Sequence, residues 1–143
     1  MNTKKVLLGI ITGVMILVGT ALPTFAASMT NNGSFEEGVD PGPFFSTLIP
    51  GDTNIDGWEI VSGSVDYIGG LWEAAEGERS IDVTGFSPGT ITQDITTIPG
   101  LVYKVTFDMA GNPDGAPVIK TMNAEAADTS VSFEFDATGH TRA

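Results

Sequence analysis

The sequence predicts an all-β domain, a jelly-roll β-sandwich of about eight short strands. Three observations carry that reading. Apolar and polar residues alternate with period two in several short runs, as a strand with one buried and one wet face requires. Clusters of Gly, Pro, Asn, Asp and Ser separate the runs. No stretch holds a sustained helical period.

The first element is a leader. Lys4 and Lys5 precede an apolar run from Val6 to Leu22, and Pro23-Thr24-Phe25-Ala26-Ala27 follows. A basic start, an apolar middle and a small residue at the cut describe a secretory signal peptide over residues 1–26, cleaved after Ala26. The domain then runs from 27 to 143, enough for a single core. Beyond the leader 18 acids face 4 bases, a net charge of −14. That charge excludes nucleic acid and anionic membrane surfaces, which need Lys/Arg patches. It leaves calcium, cationic surfaces and neutral sugars. With no Cys in an exported chain, burial or metal must hold the fold.

Strands are expected near 33–37, 57–62, 64–68, 79–84, 89–96, 101–110, 118–125 and 130–136. Phe35 points inward from the first. Residues 38–57 form a loop packed across one end of the sandwich by Phe44, Phe45, Leu48 and Ile49. The stretch 58–85, WEIVSGSVDYIGGLWEAAEGERSIDVTG, holds both tryptophans. Trp58 opens an alternating strand and belongs inside. Trp72 sits on a loop among Gly, Glu and Ala and is expected to be the more exposed, as a lid or a recognition surface. Ile91, Gln93 and Ile95 share one face, so Gln93 needs hydrogen-bond partners, expected from the backbone. The longest alternation is Leu101, Tyr103, Val105, Phe107 and Met109.

Three motifs match sites of known chemistry only in part. Gly85-Phe86-Ser87-Pro88-Gly89 reads as G-x-S-x-G, but Pro88 has no N–H to lend an oxyanion hole and a strand follows, so it is a turn. Glu73, Glu76 and Glu78 cluster on one loop, and paired carboxylates can hydrolyse glycosides; a loop run of acids reads as a solvated edge, and no enzyme is expected. Asp52-Thr53-Asn54-Ile55-Asp56-Gly57 matches half of a calcium loop, but Gly63 stands where the bidentate acid belongs.

Several segments together resemble the choice-of-anchor C family of secreted bacterial proteins, related to plant cell-wall proteins of a domain of unknown function. They are NGSFEEG at 32–38, GWEIVSGSVDYIG at 57–69 with a later Trp and RSIDVTG, GTITQDI at 89–95, PGLVYKVTFDMAGNPDG at 99–115, and FEFDATGHT at 133–141. The resemblance implies a galactose-binding-like sandwich on a cell surface. It further implies closing strands and a terminal anchor beyond Ala143. Membrane attachment is then through the leader or that anchor. A calcium ion often ties first strand to last in such folds, which makes Glu36 the candidate ligand; Asp52, Asn54 and Asp56 are the alternatives.

The expected function is a non-catalytic extracellular module that binds carbohydrate or another cell-envelope polymer. A structural or display protein without a small ligand is the alternative. Sugar recognition stacks aromatic faces on pyranose rings and adds planar polar groups for the hydroxyls. Tyr67, Trp72, Arg79, Asn112 and Asp114 form the candidate set.

Overall fold

The structure is a computed structural model and describes residues 2–7 and 28–141. Seven strands lie between residues 28 and 141: β2 (Phe45–Leu48), β3 (Glu59–Ser62), β4 (Val65–Ile68), β5 (Ser80–Asp82), β6 (Thr90–Thr97), β7 (Ile119–Ala126) and β8 (Thr129–Asp136). A further strand, β1 (Asn2–Leu7), lies in the segment that the sequence predicts to be a leader. One sheet has the order β3-β6-β1-β7-β8, the other β2-β4-β5, with neighbours antiparallel throughout.

Period two decides which side chains meet between the sheets. Leu48, Val65, Tyr67 and Ile81 from the three-stranded sheet pack with Ile60, Ile91 and Ile95 from the larger one. Phe35, Ile55 and Trp58 complete this cluster from the loops. Each such side chain contributes roughly 1.5–3 kcal/mol on leaving water. Trp58 also tilts against Phe35, ring centroids 5.3 Å apart, and its Nε1 donates to the Asn32 carbonyl at 3.0 Å. Gln93 behaves as the sequence predicts. Its Nε2 donates to the carbonyls of Asn31 (2.7 Å) and Gly57 (2.8 Å), and its Oε1 accepts the Asn31 N–H at 2.8 Å.

Three expectations change. Residues 33–37 form a turn, with Asn32 and Phe35 at positive φ, although Phe35 is buried as expected. The loop at 38–57 contains β2, a strand hidden by the Pro and Gly around it. Residues 101–110 join neither sheet. The physical reason is occupancy: β1 pairs along β6 from Thr97 to Thr92 and fills the place beside it. The predicted cleavage point after Ala26 lies outside the described residues. The Gly85–Gly89 segment is the expected turn, closed by the Gly89 N–H on the Val83 carbonyl at 2.7 Å.

Candidate functional site

Since Val65 and Tyr67 enter the core, Asp66 and Ile68 must point to the other face of the three-stranded sheet. Register builds a row there. Thr47 stands opposite Asp66, and Asp66 opposite Asp82. The Thr47 hydroxyl donates to Asp66 Oδ1 at 2.6 Å. Asp82 Oδ1 accepts the Thr84 N–H, and its Oδ2 accepts Asn112 Nδ2, both at 2.9 Å. Directly opposed carboxylates repel. Burial pushes the Asp66 carboxyl above its ordinary pKa; the Thr47 hydroxyl pulls it back and the Asp82 charge raises it further.

A less polar row runs beside the first, with Phe45 opposite Ile68 and Ile68 opposite Ser80. Trp72 Nε1 donates to Ser80 Oγ at 2.9 Å, which anchors the indole at this face. Trp72 is half-buried where Trp58 is buried, in line with the sequence reading. Phe45 is 45% exposed. The outer face is closed over Ile68 and Ser80, both buried, and leaves Phe45 and the half-buried Trp72 beside carboxylates and an amide.

Of the predicted ligand set, the structure brings Trp72 and Asn112 to this face. Asp114 follows on the turn, its N–H donated to Asn112 Oδ1 at 2.9 Å. Tyr67 and Arg79 go elsewhere. Tyr67 is fully buried, so no ring face is open to a ligand. Its hydroxyl donates to the Phe35 carbonyl at 2.6 Å and accepts Arg79 Nη1 at 2.8 Å. The guanidinium also lies 5.6 Å from the Tyr67 ring centroid. Burial holds the Tyr67 phenol above its ordinary pKa, against the pull of Arg79.

Glu36 closes the same clasp. Its Oε1 accepts the backbone N–H groups of Glu78 (2.9 Å) and Arg79 (2.7 Å), while Arg79 Nη1 donates to the Glu36 carbonyl at 3.2 Å. N–H donors and a guanidinium aim at these oxygens, so the surroundings do not fit a cation. The alternative set is dispersed by its turn. Asp52 Oδ2 accepts the Ile49 N–H, the Asn54 carbonyl accepts the Val39 N–H, and Ile55, between Asn54 and Asp56, is buried. Among the described residues no group of three or more His, Cys, Asp or Glu side chains could hold a metal ion.

An open cleft of about 570 Å³ flanks β6, lined by Met29, Asn31, Gly57, Gln93 and Asp94 among others. The Gln93 amide in its wall is already spent on the backbone, which makes the wall a structural one. The residues that sequence reasoning missed are Thr47, Asp66, Ser80 and Asp82. Asp66, Ser80 and Asp82 were legible as the polar members of their alternations. Their alignment depends on which strands pair, and alternation is silent on that.

A family model described as "Protein of unknown function (DUF642)" matches residues 28–142. A protein named halomucin, from Haloquadratum walsbyi (strain DSM 16790 / HBSQ001), is 32% identical over 120 residues. That match covers 78% of this chain, which spans about 1% of the length of that protein. No solved structure matches the chain. With the family model covering the whole described domain, the chain belongs to the DUF642 family.

Proposed function

We propose that this domain is a non-catalytic extracellular module that binds carbohydrate through the outer face of its three-stranded sheet. One observation carries the reading: hydrogen bonds to Ser80 and Asp82 bring Trp72 and Asn112, distant in sequence, to a single sheet face. Trp72 and the half-exposed Phe45 supply apolar surface for a sugar ring. Asp66, whose Oδ1 takes the Thr47 hydroxyl, offers Oδ2 as an acceptor for sugar hydroxyls. The acidic face and the chain's net charge favour neutral over anionic polymers. The leader, the DUF642 membership and the likeness to halomucin support an extracellular or surface setting. The finer fold, a galactose-binding-like jelly roll of the choice-of-anchor C type, fits the shared core of two antiparallel sheets.

A second reading, a display scaffold without a ligand, is favoured by one fact: Tyr67 and Arg79 are wholly engaged in the clasp. A glycan array probed with the full chain separates the two. Retention of a neutral glycan supports binding, and blanks across neutral and cationic glycans favour the scaffold.

A further inference from the structure

The place between β6 and β7 is filled by Asn2–Leu7, a segment of the leader. It is antiparallel to both neighbours, six residues pairing with β6 but only two with β7, Val6 to Ala126 and Leu7 to Glu125. Its match to the sheet is poor. β6 sends Ile91, Gln93 and Ile95 into the core, yet Lys4 holds the register position opposite Ile95. Residues 101–110, the longest alternation in the chain, meanwhile lie outside both sheets.

We propose that removal of the leader opens this place and that residues 101–110 of the same chain fill it, so that the larger sheet becomes β3-β6-(101–110)-β7-β8. Direction fits first. A strand leaving β6 through a tight turn runs antiparallel to it, as β1 does, and a return to β7 gives the antiparallel pairing that β1 makes. The chain already reverses here: the Leu101 N–H donates to the Ile98 carbonyl at 3.3 Å across Pro99 and Gly100, with Gly100 at φ 85°. Pro followed by a positive-φ Gly is the order of a type II turn, whose twist splays strands. Closing a hairpin requires this turn to reopen as a three-residue loop, Ile98-Pro99-Gly100, with Gly100 kept left-handed.

Facing fits next, and it is the stricter test, because a one-residue slip would turn every side chain to the wrong side. A three-residue loop pairs Thr97 with Leu101. It then puts Tyr103 opposite Ile95, Val105 opposite Gln93 and Phe107 opposite Ile91. If each of these residues inherits the β7 partner of the leader residue it replaces, Val105 meets Ala126, Thr106 meets Glu125 and Phe107 meets Ala124. Ala124 and Ala126 are the β7 residues that pack on the core. One register therefore aims the apolar face inward against both neighbours. It also extends the contact with β7 past the two pairs that β1 makes. Phe107 already packs on the core and meets Phe133 of β8 edge to face, centroids 4.9 Å apart. This inference rests on removal of the leader and not on carbohydrate binding.

The test compares the full chain processed by a secreting host with an Ala26→Phe chain that keeps its leader. Amide hydrogen exchange is read at residues 101–110 and in β6. The chain lacks Cys, so a Thr106→Cys/Glu125→Cys pair gives a clean second readout. Directly opposed antiparallel residues lie within disulfide range. The processed protein is expected to slow exchange at 101–110 to the level of β6 and to form the disulfide within one chain. The leader-bearing protein should do neither. Fast exchange at 101–110 in the processed protein, whether β6 is protected or not, overturns the proposal. So do equal protection in both proteins, a disulfide linking two chains, and failure of the host to remove the leader.

Discussion

Asp66 and Asp82 stand directly opposite each other on neighbouring strands, and the contacts that hold them come from neutral donors: the Thr47 hydroxyl, the Thr84 N–H and the Asn112 amide. Cross-strand like charges cost about 0.2–1 kcal/mol. Ser80, two residues before Asp82 on the same strand, accepts the Trp72 indole N–H.

Asp66→Asn should therefore stabilise the domain at pH 7, by up to about 1 kcal/mol, or a few degrees in Tm. The sign follows from the raised pKa. The folded state favours the protonated carboxyl, so that contribution is complete below the ordinary Asp value and is lost as pH rises through the folded value. The gain from Asn should shrink on acidification, and paired melts at pH 7 and pH 3 check it.

Tyr67→Phe should destabilise. It leaves the buried Phe35 carbonyl without its donor and removes the hydroxyl that Arg79 Nη1 donates to. An unsatisfied buried polar group costs about 1–3 kcal/mol. The raised phenol pKa adds stability that is complete below about pH 10 and declines as pH rises through the folded value. The variant should show a flatter alkaline limb in a melt series.

Glu36→Ala should lower the melting temperature to the same degree with and without calcium. The carboxylate serves two backbone N–H groups, and losing such charge-assisted bonds costs about 1.5 kcal/mol. Gly77→Ala attacks the same clasp from the other side. Gly77 has φ 68°, and a Cβ there would strike the Glu36 carboxylate. Both variants should soften the 77–79 loop in amide exchange. A calcium-dependent rise in Tm that Glu36→Ala abolishes would restore the metal.

Much of the fold was legible because the core faces alternate cleanly. β3, β4, β5, β6, β7 and β8 fall within a few residues of their expected ranges. β2 was not, because Pro41, Gly42 and Pro43 before it and Pro50 and Gly51 after it are breakers that mask a four-residue strand. Residues 101–110 show the opposite failure: a strong local pattern stays outside the sheets when another segment holds its place. In the site, Trp72 and Asn112 could be chosen by type and loop position. Tyr67 could not be sorted correctly, since alternation places it on a face without saying that the face is the core.

The most direct measurement of carbohydrate binding is affinity electrophoresis through gels containing a neutral polysaccharide that the array identifies. The full chain is run beside Trp72→Ala, and thermal melts confirm that both are folded. Binding through the outer face predicts retardation of the full chain and its loss in Trp72→Ala, since stacking on one aromatic contributes about 0.5–1.5 kcal/mol beyond its buried area. Equal retardation of both proteins would contradict the account.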